Sequence, residues 1–394
     1  MGRVFLKERR SKPIFSHHPW IFSGAIEKKE EVKEDGEIVE VFDARRTFIG
    51  RGYWNSHSQI QVRMLTWNED EKIGETFFVK KIQNARYLRE EILKLPEKTN
   101  AYRVVYSESD GLPGLIVDRY DTYLVVQFLT VGIFAWKERL LDILEESFHP
   151  EGIYGRSDSS TSTLEDLPET TGCLRGIEPP SECEIREYGL TFLADLKKGQ
   201  KTGFFLDQRE NRKALAPYTE GKRVLDCFAY TGAFSLYALI LGKARGSVAL
   251  EASERGIDLG KKQAALNRVD IEFRDADLFK ELRRIAENQE RFGVVILDPP
   301  KFTRSKSTVE QALKGYHEIN TLAMRILEPN GILVTCTCSQ HISQEAFEAM
   351  LQRAALDSGR EVQIVEQRGQ APDHPVISSC LETRYLQCLI CRVV

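Results

Sequence analysis

The chain has 394 residues, 42% hydrophobic and 29% charged, with 55 Lys and Arg against 59 Asp and Glu for a formal net charge of −4. That length predicts two or three domains with proper cores. The near balance of charge excludes a uniform polycation, so any nucleic-acid surface must be a local grouping of basic side chains. No apolar run is long enough for a membrane helix, and the opening MGRVFLKERRSKP lacks the apolar stretch of a signal peptide. Eight scattered cysteines without small-scaffold spacing predict reduced thiols in the cytoplasm.

Residues 1–70 open with Arg3, Lys7, Arg9, Arg10 and Lys12, followed by His17, His18, Pro19 and Trp20. β-type runs at 37–42, 48–54 and 59–65, the last with clean alternation, are punctuated by glycines and polar clusters and predict a small β-barrel. Basic side chains interleaved with Trp20, Tyr53 and Trp54 suit an RNA surface, with cations on phosphates and rings on unstacked bases. The same pattern also fits a barrel with an aromatic core and a solvated charged face. His17 and His18 read as structural rather than metal-ligating, because no other ligand cluster sits nearby.

Residues 71–185 predict a compact α+β domain with two β-hairpins around a helix. Helical spacing over 77–95 puts Phe78, Ile82, Ala85, Leu88 and Ile92 on one face, and Pro96 ends it. Strands are expected at 102–106, 115–120, 123–129 and 152–156, a helix at 136–148, and a polar loop at 157–181. Asp110 to Gly114 has the composition of a tight turn. No catalytic constellation is present, although Arg156, Ser157 and Asp158 could face a substrate.

Residues 186–394 alternate strand-like and helical apolar runs, the pattern of a doubly wound α/β sheet. Strands are predicted at 223–227, 247–251, 271–274, 294–298, 332–338, 361–366 and 385–393. Helices are predicted at 233–241, 253–267, 278–288, 309–327 and 343–356. Asp226, Glu251, Asp298 and Cys338 all end strands, where such sheets bind ligands, so one crevice can hold them together.

After Asp226 the run Cys227-Phe228-Ala229-Tyr230-Thr231-Gly232 must turn sharply into a helix. Gly232 allows close backbone approach, and the helix N-terminus favours a carboxylate. Glu251 can accept hydrogen bonds from ribose hydroxyls. The Gly-x-Gly-x-x-Gly set is missing, which fits a nucleoside without a pyrophosphate, and S-adenosylmethionine is the candidate cofactor. Asp277 reads either as a ligand of the adenine amino group or as an acid at the next helix N-terminus. In Asp298-Pro299-Pro300 the prolines fix φ and remove two amide donors, leaving a segment against which a planar ring can lie. The ring's exocyclic amine and nitrogen can then hydrogen-bond Asp298.

In Val334-Thr335-Cys336-Thr337-Cys338-Ser339, Cys336 and Cys338 share a face if the strand stays extended. A thiolate there can add to carbon 6 of a pyrimidine and make carbon 5 nucleophilic enough to take a methyl group. The alternatives are ordinary buried thiols, or a metal site built with Cys388 and Cys391. On one strand those two point to opposite faces and chelate poorly, so no metal is expected.

With these residues laid out, the chain resembles the RlmI family of S-adenosylmethionine-dependent large-subunit rRNA methyltransferases, which make 5-methylcytosine in 23S rRNA. The resemblance spans essentially the whole chain, through HPWIFSGAI (18–26), SDGLPGLIVDRY (109–120), GQKTGFFLDQRENR (199–212), LDCFAYTGAFS (225–235), LDPPKF (297–302), TCTCSQH (335–341) and PDHPV (372–376). It implies a PUA domain at 1–70, a central α+β domain at 71–185 and a Rossmann-like class I methyltransferase domain at 186–394. It implies Cys338 as the catalytic thiol, with Cys336 the weaker candidate, and Asp298 at the base. It also implies a cofactor site of Phe204, Phe205, Gln208, Arg209, Asn211, Asp226, Phe228, Tyr230, Thr231, Gly232, Glu251, Ser253, Asp277, Asp298 and Pro299. Glu251 departs from the family, where Asp is usual. Partners implied are 23S rRNA, naked or in an assembling subunit, and a second copy of the chain, since family members are often homodimers; no membrane is involved.

Overall fold

Glycine-punctuated runs of β-branched and aromatic residues make the first sheet. Its strands are β1 (Gly2–Leu6), β2 (Trp20–Phe22), β3 (Ile26–Glu30), β4 (Ile38–Phe42), β5 (Phe48–Trp54) and β6 (Ile60–Thr66), in the order β2-β6-β5-β4-β1-β3. The computed structural model describes residues 1–8, 12–157, 165–303 and 305–394, so Arg9, Arg10 and Asp158 lie outside the described residues, as does the side chain of Lys12. Alternation on β1, β4 and β6 turns Val4, Leu6, Val39, Val41, Val62 and Met64 inward. β1 to β3 were not anticipated, because their short apolar runs sit among charges and the β2 run is only three residues long. Tyr53 and Trp54 are 2% and 3% exposed, so these rings are core and not part of an open RNA surface. Trp20 is half-buried, with Nε1 donating to Glu108 at 2.8 Å.

The helix Glu75–Tyr87 buries Phe77, Phe78, Ile82 and Ala85. It passes into a single π turn, Leu88–Ile92, and stops at Lys94, whose backbone is left-handed (φ 49). The expected helix to residue 95 is therefore too long. Leu95 precedes a proline, which disfavours helical backbone there. The π turn buries Arg89 against Asp110, with contacts of 2.6 and 2.8 Å, and Asp110 also accepts the Tyr106 amide at 2.6 Å. Asp110 is thus fixed by the turn it closes.

A second sheet has β7 (Ala101–Tyr106), β8 (Leu115–Tyr120), β9 (Tyr123–Phe128), β10 (Gly152–Gly155) and β11 (Gly172–Gly176), in the order β11-β10-β9-β8-β7. β9 and β10 are parallel, joined through the helix Lys137–Phe148, because a parallel pair needs a crossover. The expectation of two hairpins is corrected to one mixed sheet. The stretch 157–181, expected to be a loop, contains β11, whose terminal glycines hide it from a propensity reading. β12 (Cys183–Glu187) follows. One compact unit comprises Met1–Tyr188, Ala194–Leu206 and Pro372–Thr383.

The other unit comprises Gly189–Leu193, Asp207–Ala371 and Arg384–Val394. The first four residues of β13 (Leu190–Ala194) lie in it, and its main sheet has β14 (Arg223–Cys227), β15 (Gly246–Glu251), β16 (Glu272–Asp275), β17 (Phe292–Leu297), β18 (Leu327–Thr337), β19 (Val362–Arg368) and β20 (Gln387–Val393). The order is β16-β15-β14-β17-β18-β20-β19, with β20 antiparallel to both neighbours and the rest parallel. All six residues of β17 are buried, as a central parallel strand covered on both faces requires. The helices Ala233–Ile240, Glu254–Leu266, Leu278–Glu287, Val309–Ile326 and Gln344–Ser358 connect the strands close to the expected bounds. β18 ends at Thr337, so Cys338 has left the strand, contrary to its expected extent. Among the described residues no helix is long and apolar enough to cross a membrane.

Candidate active site

β14 delivers Asp226 and Cys227 to a turn that must become a helix by Ala233. The turn uses left-handed backbone at Phe228 (φ 60), Tyr230 (φ 49) and Gly232 (φ 72). For the two non-glycine residues this costs on the order of 1 kcal/mol each. Glu251 offsets the strain. Its Oε2 accepts the Tyr230 amide at 2.7 Å, and its Oε1 accepts the amides of Ala252 and Ser253 at 3.0 and 2.8 Å. One carboxylate therefore ties the loops after β14 and β15 together. At Gly232 a Cβ would come within 3.0 Å of the Phe273 ring.

Asp226 is 1% exposed. Its Oδ2 accepts the Ser235 amide at 3.1 Å and the Ser235 hydroxyl at 2.8 Å, anchoring the helix that follows the turn. Its Oδ1 and the buried Thr231 hydroxyl have no hydrogen-bond partner among the described residues. Two orphaned polar atoms at the strand end fit a polar, partly cationic group such as the implied cofactor, and Asp226, Thr231 and Glu251 would hold it.

Burial pushes the Asp226 carboxyl up to about 7, against the hydrogen bonds from Ser235, while Asp298 and Glu251 push in the same direction as burial. The folded chain then keeps a proton that the unfolded chain has lost, and stability falls as pH rises from about 4 to about 7. Asp226→Asn removes the buried charge. Thermal melts should show the variant stabilised relative to wild type at pH 8 and clearly less so at pH 5. Calorimetry should show weaker S-adenosylmethionine binding by the variant at pH 8. Equal melting shifts at both pH values would refute the assignment.

Ser253 and Asp277 cap helices. Ser253 Oγ accepts the Gly256 amide at 3.2 Å, and Asp277 Oδ1 accepts the Lys280 amide at 3.1 Å. Asp277 is thus the helix N-terminal acid of the two readings, and it is exposed, so its second oxygen remains open to a ligand.

At the end of β17 Asp298 is half-buried, Pro299 is buried and Pro300 is exposed. Gln208 Nε2 donates to Asp298 Oδ1 at 2.9 Å, Asn211 Nδ2 to Gln208 Oε1 at 2.7 Å, and Arg368 Nε to Asn211 Oδ1 at 3.2 Å. This relay orients Asp298 from behind. The helix Arg209–Leu215 that carries Asn211 was not anticipated, because it is short and largely polar. Arg209 is fully buried, 3.2 Å from Glu210 Oε1. Phe204 and Phe205 belong to the other unit. There Phe204 is buried, its amide donating to Tyr120 Oη at 3.2 Å, and Phe205 lies 4.7 Å from Lys201 Nζ.

Cys336 is fully buried and faces Cys388 across the β18–β20 pair. The Cys388 thiol and burial both push Cys336 well above the ordinary thiol range, so it stays protonated. Cys391 packs in the core on the opposite face of the sheet from Cys336 and Cys388. Cys338, past the strand end, is half-buried.

Its two neighbours are held by Tyr316, which the sequence did not single out. Thr337 Oγ1 donates to Tyr316 Oη at 2.9 Å, the Ser339 hydroxyl lies 3.3 Å from Tyr316 Oη, and the Ser339 amide donates to Thr337 Oγ1 at 3.2 Å. Burial pushes the Tyr316 hydroxyl up to about 12, with Cys338 and Asp298 close enough to push it the same way. It is therefore a permanent donor near both groups. The Tyr316 ring also packs on Phe302, with centroids 4.6 Å apart, and so links the segment after Asp298 to the turn around Cys338.

His18, which the sequence left without neighbouring ligands, meets Cys380 and Glu382 within 4.8 Å. The segment carrying them comes from the far end of the chain, which no local pattern reveals. His18 Nδ1 accepts the Trp20 amide at 3.2 Å, and its Nε2 lies 3.5 Å from Glu382 Oε2.

Comparison with known proteins agrees with this geometry. Residues 4–67 match a PUA-like domain model, and residues 167–387 match an S-adenosylmethionine-dependent methyltransferase model. A ribosomal RNA large subunit methyltransferase I from Erwinia tasmaniensis is 40% identical over 395 residues, covering 100% of this chain and 99% of the relative. Its counterpart from Aliivibrio fischeri is 42% identical over 394 residues, covering 99% of each. A solved SAM-dependent methyltransferase from Streptococcus mutans has the same fold, with a TM-score of 0.85, 19% identity and full coverage of both chains. The cofactor is S-adenosylmethionine, and the chain belongs to the ribosomal RNA large subunit methyltransferase I family of SAM-dependent methyltransferases.

Proposed function

We propose that the protein methylates carbon 5 of a cytosine in large-subunit (23S) rRNA, in the cytoplasm, through a transient bond to Cys338. The observation that carries this reading is the contrast between two thiols. Cys336 is sealed and protonated, whereas Cys338 has left the strand at the sheet edge that also presents Asp298. The domain division at residues 70 and 185 is part of the proposal, with the PUA-like segment as the RNA-binding element.

In this reading the target base leaves its stack to lie against Asp298-Pro299-Pro300. Asp298 accepts the exocyclic N–H and shares a proton with ring nitrogen 3, drawing electron density from carbon 6. Cys338 Sγ, as thiolate, forms a bond to carbon 6, and the carbon 5–carbon 6 electron pair moves to carbon 5. Bound S-adenosylmethionine would supply an electrophilic methyl group to carbon 5, its sulfur keeping the electron pair of the broken carbon–sulfur bond. Loss of the carbon 5 proton to a base restores the double bond as the sulfur–carbon 6 bond breaks and the thiolate leaves. Asp226, Thr231, Gly232 and Glu251 hold the cofactor. Phe228 and Tyr230, with Ser253, Asp277 and Pro299, complete that site as the family resemblance suggests.

The test is methyl transfer from labelled S-adenosylmethionine to large-subunit rRNA from cells lacking the enzyme, followed by digestion to nucleosides. Label in 5-methylcytidine is the expected result. Label in another nucleoside would leave a methyltransferase and overturn the cytosine reading.

Tyr316 gives a second check. Tyr316→Phe keeps the ring and removes one hydroxyl, so kcat should fall about fivefold while S-adenosylmethionine affinity holds, as expected for a lost positioning hydrogen bond worth roughly 1 kcal/mol. Thr337→Val should act similarly, and the double variant should be little worse than either. Additive losses would show that the two hydroxyls do not work as one unit.

A further inference from the structure

Beside the Asp298-Pro299-Pro300 segment lies a cavity of about 500 Å³ that the mechanism above leaves unused. Its walls include Phe279, at the start of the helix Leu278–Glu287, and Phe302. Their ring centroids are 6.2 Å apart at 35°, and both residues are half-buried, so neither side chain is sealed in the core. Tyr316 backs Phe302 at 4.6 Å. Gly315, in the wall, would with a Cβ come 3.3 Å from two Phe302 ring atoms, so glycine keeps that side clear. Thr303 Oγ1, in the wall, donates to the Ser305 carbonyl at 2.7 Å and lies 2.6 Å from the Thr308 hydroxyl.

The polar lining complements this. Gln311 offers an exposed amide, and Lys301 an exposed ammonium. Among the described residues Lys301 has no ion-pair or hydrogen-bond partner, and neither have the nearby exposed Lys306 and Lys314. A slot lined by two half-buried aromatic rings, an exposed amide and an exposed lysine matches an unpaired nucleotide, whose base stacks and whose phosphate seeks a lysine. Neither the turn Phe228–Gly232 nor Glu251 lines the cavity, and Phe228 borders it through Phe302, with ring centroids 6.4 Å apart.

We propose that this cavity receives a nucleotide flanking the target in the RNA strand, its base against Phe279 and Phe302 and its phosphate on Lys301. The proposal rests on the RNA reading above. Continuity supports it, because Lys301 and Phe302 directly follow the prolines against which the target base is proposed to lie. A strand delivering its base to Asp298 would pass the cavity next.

The test measures KM for large-subunit rRNA, kcat, and S-adenosylmethionine affinity by calorimetry, for wild type, Lys301→Ala and Phe279→Ala. Lys301→Ala should raise the RNA KM several-fold, lower the salt slope of binding by about one, and leave kcat and cofactor affinity unchanged. Phe279→Ala should raise the RNA KM about tenfold through lost stacking. Because Phe279 also touches the core, the exposed Lys301 decides the matter if that variant is unstable. An unchanged RNA KM and salt slope in Lys301→Ala would overturn the proposal. So would a fall in S-adenosylmethionine affinity in folded Phe279→Ala, which would assign the cavity to the cofactor. Wild type that methylates no rRNA would instead sink the RNA reading itself.

Discussion

Cys338→Ala should abolish methyl transfer to large-subunit rRNA, with a loss on the order of a thousandfold or more, because the covalent route has no substitute for its nucleophile. Cys336→Ala should keep most activity. Cys336 is fully buried, and its proton is held by burial and by Cys388, so it is not a thiolate at neutral pH. Its loss should appear as stability, on the order of 1 kcal/mol for a small core deletion. RNA containing 5-fluorocytidine makes the same point without turnover, since fluorine at carbon 5 cannot leave as a proton and the adduct is trapped. Denaturing gels should show a protein–RNA adduct with wild type and Cys336→Ala, and none with Cys338→Ala. An adduct that survives in Cys338→Ala but not in Cys336→Ala would reverse the roles. No adduct with any variant on an RNA that is demonstrably methylated would remove the covalent mechanism altogether.

The two thiols also show what a sequence can and cannot convey. Their spacing in Thr-Cys-Thr-Cys-Ser reads as two side chains on one face of a strand, and that holds only while the strand continues. It stops at Thr337, between them, which sends one thiol into the core and the other to the edge. The α/β sheet itself was legible because its strands are continuous apolar runs such as β17, with helical periodicity between them. Strand ends carrying Asp226, Glu251 and Asp298 followed from that. The first sheet was half legible, since β4 to β6 alternate and β1 to β3 are too short or too charged to register. Partnerships between distant segments were not legible at all. Tyr316 reads as one more core position of an amphipathic helix. Only the fold shows that its hydroxyl braces both neighbours of Cys338.

Asp298→Asn should lower kcat/KM by roughly a hundred- to a thousandfold, the usual cost of removing a preorganised group at the reacting centre. Asparagine keeps the shape and can still hydrogen-bond the ring, but it carries no negative charge and has no proton to transfer to ring nitrogen 3. Gln208→Ala should cost about tenfold, because it removes one neutral donor, at 2.9 Å, from the carboxylate it orients. The relay Arg368–Asn211–Gln208–Asp298 makes a specific demand on these numbers. If Gln208 acts only through Asp298, the double variant should be no worse than Asp298→Asn alone. S-adenosylmethionine affinity should also stay constant in Gln208→Ala. The family resemblance sets Gln208 and Asn211 among cofactor-side polar groups, and calorimetry separates the two roles. A Gln208→Ala variant whose cofactor affinity falls tenfold while its turnover at saturating cofactor is normal would move Gln208 to the cofactor. The same variant with normal cofactor affinity and lowered turnover would make it the positioning residue of the base-binding carboxylate.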